Sequence, residues 1–247
     1  MAAAAEQAGL MTPVPSCPGW QVRDLLRHQG YVHRWAGRYV TEGLPDAVPE
    51  RTEAEILAAD PPDGQLPDWF REGHAALVAA LRSAPPDLSC WTFLPAPSPL
   101  AFWARRQAHE TAIHRVDAEL AVGGAVTAPD PPFAADGIDE LIMGFLGRHE
   151  RRLTADQRAG GRRRVDVQPA DDDGEWQVEL TADGQRAASV RRGSGHGAAD
   201  CTLTGPAAGL YFVLWNRAEP GAATGVRVDG DAAALRFWRD GARVTWA

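Results

Sequence analysis

Three side chains of metal-binding types lie in one row along a predicted helix. Glu110, His114 and Asp117 are four and then three residues apart. At about 100° per residue, these spacings place the three side chains within about 60° of one another around the helix axis. A carboxylate and an imidazole one turn apart have Cβ atoms about 5–6 Å apart, so both reach a single cation. Because zinc takes at least one further protein ligand, the row predicts part of a metal site.

An earlier predicted helix offers two candidates for that further ligand. His28 shares a helix face with Val32 and Trp35, whereas His33 lies on a face with Ala36. Helical periodicity does not choose between the two histidines. A glutamate and a histidine four residues apart also occur together as a simple surface contact that contributes a few tenths of a kcal/mol. The spacing alone therefore leaves both the identity of the ligand and the presence of a metal open.

The elements that must hold these side chains are helices in the first part of the chain. Apolar residues recur there at helical spacing in segments joined by connectors rich in proline, glycine and aspartate. The segments lie at residues 21–39, 68–83, 100–121 and 134–152, with a short helical turn at 53–59. Amphipathic segments joined in this way predict a helix bundle, which we place at residues 1–153.

The apolar pattern changes period after residue 153. Residues 155–164 read as a linker, and polar and apolar residues alternate in the segments that follow, which predicts strands. These strands lie at residues 164–168, 176–180 and 201–204, and two helices are predicted at 206–217 and 231–239. The pattern predicts a small α+β domain over residues 162–247.

The composition narrows the classes of function. The chain has 247 residues, a formal net charge of −8 and no lysine. The negative charge argues against nucleic acid or an anionic membrane surface as a partner, and the absence of lysine excludes Schiff-base chemistry at a lysine amine. Three cysteines do not form a disulfide framework. Because no apolar run approaches about 18 residues and no leader pattern is evident, we expect a cytoplasmic protein.

Several sequence blocks resemble one family over nearly the whole chain. Residues 14–28 (VPSCPGWQVRDLLRH) and 103–119 (WARRQAHETAIHRVDAE) resemble the mycothiol-dependent maleylpyruvate isomerase family, part of the larger DinB-like group of four-helix metalloproteins. The stretches 199–205, 214–217 and 228–231 resemble that family's sterol-carrier-like second domain. One departure is the start, where only sixteen residues precede Cys17, fewer than the usual first helix needs.

The resemblance implies a fold and a ligand set. The expected fold is an N-terminal DinB-like four-helix bundle followed by a small α+β sterol-carrier-like domain. The family holds a divalent metal, usually zinc, and the matching positions here are His28, Glu110 and His114. The resemblance thus favours His28 over His33. We predict that Asp117 orients His114 or binds part of a substrate, and that Arg106 and Arg217 clamp an acidic substrate or the carboxylate of a thiol cofactor.

The resemblance also implies a reaction. Mycothiol or another low-molecular-weight thiol would bind the metal as a thiolate and attack a small electrophile, with cis–trans isomerisation or S-transfer as the outcome. Two alternatives stay open. One is a metallohydrolase that activates water, with Asp117 or His109 as the general base, and the other is a non-catalytic protein that binds a metal or small ligand under stress. The expected partners are the small electrophile and the thiol, and we expect a monomer or weak dimer.

Overall fold

The computed structural model describes residues 1–48, 55, 61–150, 162–181, 187–193 and 197–241. The chain forms two compact units, of which the first comprises Met1–Thr127 and the second begins at Ala128. No helix among the described residues is long and apolar enough to cross a membrane.

The first unit contains the helices that carry the predicted metal ligands. They are α1 (Ala2–Ala8), α2 (Val22–Glu42), α3 (Leu66–Ser83) and α4 (Pro99–Val122), with a 3₁₀ turn at Asp63–Gln65. Helix α1 packs on α4, and α2 packs on both α3 and α4. The short α1 thus occupies the place of the first bundle helix and buries Ala5 in the core. The turn predicted at 53–59 lies outside the described residues except for Glu55, which is helical.

The local sequence determines where the two ligand-bearing helices begin and end. Helix α2 starts with a capping box in which the backbone N–H of Gln21 donates to Asp24 at 2.9 Å. Ser98 caps α4 by accepting a hydrogen bond from the Ala101 N–H at 3.1 Å. The left-handed Gly43 and Gly123, with φ of 61° and 79°, end α2 and α4. These caps define the register in which each helix presents its polar side chains.

The second unit begins with a helical segment and continues into a five-stranded sheet. The segment comprises α5 (Pro131–Asp139), a π-helical stretch (Glu140–Leu146) and α6 (Gly147–Glu150). The remaining elements are β1 (Arg162–Pro169), β2 (Trp176–Thr181), β3 (Ala187–Arg192), β4 (Cys201–Gly205), α7 (Ala207–Leu214), β5 (Arg227–Gly230) and α8 (Ala232–Gly241). The strand order is β3-β2-β1-β4-β5, in which β1 runs antiparallel to β2 and parallel to β4. This mixed sheet confirms the predicted α+β fold class.

The division between the units differs from the predicted one. Sequence patterning assigned residues 134–152 to the bundle, but α5 and the π-helical stretch belong to the second unit. There the Trp215 indole donates to the Gly137 carbonyl at 3.1 Å, and Arg192 forms an ion pair with Asp139 at 2.7 Å. An apolar stripe shows that a helix is buried and does not show against which element. The predicted linker also ends earlier, since residues 162–164 begin β1, and residues 155–161 lie outside the described part.

Candidate metal centre

Helices α2 and α4 bring three predicted ligands to one point. Glu110 Oε1 lies 3.4 Å from His28 Nε2 and 3.2 Å from His114 Nε2. The imidazole rings of His28 and His114 meet edge to face with centroids 5.0 Å apart. One ligand atom from each residue lies within 4.8 Å of the others, and all three side chains are buried. We refer to His28, Glu110 and His114 as the candidate metal centre.

The two oxygens of the Glu110 carboxylate contact different partners, the two histidines of this group on one side and a buried arginine on the other. Arg106, one turn earlier on α4, donates from Nη2 to Glu110 Oε2 at 2.7 Å and is only 1% exposed. Burial alone raises the pKa of a carboxyl, but Arg106 and the hydrogen bonds with His114 and His28 hold the pKa of Glu110 well below its usual value. Glu110 is therefore anionic, as a carboxylate that binds a cation must be. The placement of Arg106 favours a role in holding Glu110 over the predicted role as a clamp for a substrate.

Asp117 lies behind His114 on the side away from Glu110. Its Oδ2 atom is 2.8 Å from His114 Nδ1. Burial alone lowers the pKa of an imidazole, but Asp117 and Glu110 raise the pKa of His114 to about 9. A carboxylate on the far nitrogen of a ligating histidine fixes its ring orientation and its tautomer. This geometry supports the predicted orienting role of Asp117.

The loop before α2 reaches the same carboxylate and was missed by sequence reasoning. The Ser16 hydroxyl donates to Asp117 Oδ1 at 2.5 Å, and the Cys17 thiol donates to Asp117 Oδ2 at 3.6 Å. The Trp20 ring lies 5.1 Å from the His28 ring. Ser16 has no predicted role, because no local spacing links it to a residue 101 positions away.

The other histidine of α2 lies elsewhere. His33 Nε2 is 3.0 Å from both Gln29 Nε2 and Thr111 Oγ1. Burial, followed by the neighbouring His74, lowers the pKa of His33 to about 3. Within the described residues, the group of side chains that could hold a metal ion consists of the three named above and does not include His33 or His109.

The donor set fits a divalent cation. Two imidazoles and one carboxylate from the protein are the composition of many catalytic zinc sites, which keep further positions for water or substrate. The three donors come from two separately capped helices, so the fold itself brings them together. Zinc remains our prediction for the ion.

Arg217 belongs to the second unit and follows α7. Its guanidinium donates to the Trp215 carbonyl at 2.8 Å, and its backbone N–H donates to the Phe212 carbonyl at 2.8 Å. The side chain is partly exposed. Its role as a clamp stays a prediction.

The helices of the first unit and the mixed sheet of the second define a DinB-like two-domain protein. The family model described as the mycothiol maleylpyruvate isomerase N-terminal domain matches residues 1–119, and the MDMPI C-terminal domain matches residues 132–237. The chain belongs to the mycothiol-dependent maleylpyruvate isomerase family, a family of enzymes. This confirms the resemblance found in the sequence. The interval between the two matches contains the division that the structure places after Thr127.

Comparison with solved structures agrees on the fold. The chain is similar to a crystal structure of the mycothiol-dependent maleylpyruvate isomerase, with a TM-score of 0.56, and to that of a histidine-to-alanine mutant, with 0.55. Each is 14% identical, and each match covers 92% of this chain and 87% of the other. A comparison with curated proteins finds no match.

Proposed function

We propose that the protein is a metal-dependent enzyme that activates mycothiol, or another low-molecular-weight thiol, for reaction with a small electrophile. The reaction is cis–trans isomerisation, with maleylpyruvate as the substrate that the family name suggests, or S-transfer. One observation carries the proposal. A single carboxylate oxygen of Glu110 lies within 3.4 Å of an imidazole nitrogen from each of two helices.

The residues of the centre have distinct roles in this proposal. His28, Glu110 and His114 would hold the cation, which would act as a Lewis acid and favour the thiolate form of a bound thiol. Asp117 holds the His114 ring through Nδ1 and leaves Nε2 directed at Glu110. Burial of all three ligands keeps the centre in a low-dielectric environment, where the interaction between charges is stronger than in water.

The proposed isomerisation needs no oxidant or reductant. The thiolate sulfur adds to one carbon of a conjugated cis double bond, and the electron pair moves onto the adjacent carbonyl group. The former double bond is now single and rotates. Return of the electron pair expels the thiolate and leaves the trans isomer, so the thiol is regenerated. In S-transfer the adduct takes up a proton and the thioether is the product.

The test combines metal analysis with thiol binding. We expect purified protein to bind about one zinc per chain, and His114→Ala to weaken zinc binding at least about 100-fold, because a direct ligand contributes more than the residues behind it. Calorimetry with mycothiol should show binding to the zinc-loaded wild type and none to His114→Ala. His33→Gln is the matched control, because His33 is a buried histidine outside the centre.

Three results would contradict the proposal. In the first, wild-type protein binds zinc no better than His114→Ala does. In the second, zinc-loaded protein has no affinity for the thiol. In the third, turnover persists without thiol. The last would favour the hydrolase alternative, in which water replaces the thiol.

A further inference from the structure

We propose that Arg106 is a positioning residue that restricts Glu110 to one ligating oxygen and thereby leaves room at the cation for the thiol. The inference rests on the proposed function of the same site. It assigns Arg106 to the carboxylate ligand and not to the substrate.

The first observation is how the two oxygens of Glu110 are shared. Oε2 accepts the hydrogen bond from Arg106 at 2.7 Å, whereas Oε1 lies near both imidazoles, at 3.2 and 3.4 Å. Since the two atoms face different partners, the carboxylate presents one oxygen to the point where the ligand atoms converge.

The second observation is the burial of the pair. The side chain of Arg106 is 1% exposed and that of Glu110 is 8% exposed, so water does not screen the interaction. A guanidinium in this position has little access to a ligand in solution. Its charge acts on the carboxylate that it contacts.

The third observation is a similar pair on the same helix that does not touch the centre. Arg115 and Glu119 are also four residues apart, and Arg115 Nη1 lies 2.8 Å from Glu119 Oε1. Their side chains are 23% and 16% exposed, and Glu119 Oε2 accepts a hydrogen bond from the Thr127 N–H. This pair separates the general effect of a helical ion pair from an effect on the cation.

Two consequences follow from removing the guanidinium. The negative charge of Glu110 is no longer shared between Arg106 and the cation, so the cation should bind more tightly. Oε2 also loses its partner and becomes free to turn toward the cation, where it would compete with an incoming thiol. A purely structural arginine predicts the opposite sign for the first effect, because a loosened site binds its cation more weakly.

The experiment measures cobalt(II) and thiol binding separately in wild type, Arg106→Gln, Arg106→Lys and Arg115→Gln. Cobalt(II) replaces zinc and reports through its visible absorption, and N-acetylcysteine is the thiol, detected by its sulfur-to-cobalt charge-transfer band. For Arg106→Gln we expect cobalt binding at least about threefold tighter, because Glu110 no longer shares its charge with a guanidinium. Thiol binding should be at least about tenfold weaker, the lower end of the loss that is typical for residues behind a metal ligand. Arg115→Gln should match wild type in both measurements.

Each outcome bears on the inference. Cobalt and thiol binding that weaken together in Arg106→Gln would overturn it, as would unchanged thiol binding. If Arg106→Gln does not fold, Arg106→Lys decides. It keeps the positive charge and should keep thiol affinity within about threefold of wild type, and a tenfold loss there would overturn the inference. Wild-type protein that binds cobalt but shows no thiol band would refute the proposed function. The cobalt affinity of Arg106→Gln would then still test whether Arg106 and the cation compete for Glu110, because competition predicts tighter binding and a purely structural role predicts weaker binding.

Discussion

Helices α2 and α4 enclose two buried histidine clusters that differ in their partners. The candidate metal centre contains His28, Glu110 and His114. Gln29 and Thr111, which directly follow His28 and Glu110 in the sequence, contact His33, and we call these three residues the His33 cluster. The pKa of His114 is raised to about 9, whereas the pKa of His33 is lowered to about 3. The pKa values of two imidazoles buried between the same helices are thus shifted in opposite directions.

The difference shows that burial alone does not make a cation site. Burial lowers the pKa of both imidazoles, and only the carboxylates of Glu110 and Asp117 reverse the effect at His114. The amide of Gln29 and the hydroxyl of Thr111 provide hydrogen bonds to His33 without a negative charge. A pocket that stabilises an imidazolium also favours a metal cation, and the His33 cluster favours a neutral ring.

The largest expected effect comes from making the metal centre resemble the His33 cluster. Glu110→Gln replaces the carboxylate by an amide and breaks the buried ion pair with Arg106. We expect a loss of about 3–5 kcal/mol in the free energy of unfolding, the usual consequence of breaking a buried ion pair. Zinc binding should weaken at least about 100-fold. Urea denaturation and zinc competition with a chelator measure the two effects.

Glu119→Gln is the matched control for this change. It breaks the partly exposed ion pair with Arg115 on the same helix, so the free energy of unfolding should fall by about 1 kcal/mol or less. Zinc binding should remain at the wild-type level. Equal losses of stability in the two variants would show that the buried ion pair at Glu110 contributes no more to the free energy of unfolding than the partly exposed pair at Glu119.

The next effect concerns pH and the His33 cluster. An unfolded histidine has a pKa near 6.5, and in the folded protein the pKa of His33 is about 3. Between these values the unfolded chain binds a proton that the folded chain lacks at His33, so the contribution of His33 to stability falls as the pH decreases. The fall is about 1.4 kcal/mol per pH unit, or about 3 kcal/mol from pH 6 to pH 4.

His33→Gln tests this contribution because glutamine does not titrate in this range. The variant should lose less stability than wild type between pH 6 and pH 4, by up to about 3 kcal/mol, when urea denaturation is measured at both values. His74→Gln should keep most of the pH dependence, because His74 is exposed and contributes less than burial does to the lowered pKa of His33. An identical pH dependence in wild type and His33→Gln would mean that His33 is not held neutral.

A smaller effect is expected behind His114. Asp117→Asn removes the negative charge at His114 Nδ1 with little change in volume, and zinc affinity should fall about 10- to 100-fold. The cobalt(II) absorption spectrum should change as well, because the ring is no longer fixed. Asp24→Asn serves as the control, since Asp24 caps α2 and its loss should lower the melting temperature without altering the spectrum. Wild-type zinc affinity in Asp117→Asn would remove Asp117 from the centre.

The parts of the site that are local in sequence were predictable. The spacing of Glu110, His114 and Asp117 follows from helix geometry, and the structure brings the first two of them together with His28. Periodicity did not distinguish His28 from His33, because both positions lie on buried faces of α2. The resemblance to the family favoured His28. The choice between the two histidines depends on which residues of α4 face each of them, and the sequence of α2 alone does not contain this information.

The parts that depend on contacts between distant segments were not predictable. The apolar stripe of residues 134–152 was equally compatible with a bundle and with the sheet of the second unit. Arg106 was predicted to be a clamp for an acidic substrate or the carboxylate of a thiol cofactor, because its burial depends on what packs around α4 and the sequence does not show this. The sequence pattern did not indicate a role for Ser16, since its contact with Asp117 joins a loop to a helix 101 residues away.

The smallest expected effect tests this distant contact. Ser16→Ala removes the hydroxyl that donates to Asp117 Oδ1 at 2.5 Å, so Asp117 holds His114 less rigidly. Because the effect passes through two residues, we expect zinc affinity to fall about three- to tenfold, less than in Asp117→Asn. Ser16→Thr, which keeps the hydroxyl, should restore it. Thr12→Ala removes a hydroxyl of the same segment that donates to the Ala8 carbonyl, and it should leave zinc affinity unchanged. Equal losses in Ser16→Ala and Thr12→Ala would show that the segment acts only through general stability.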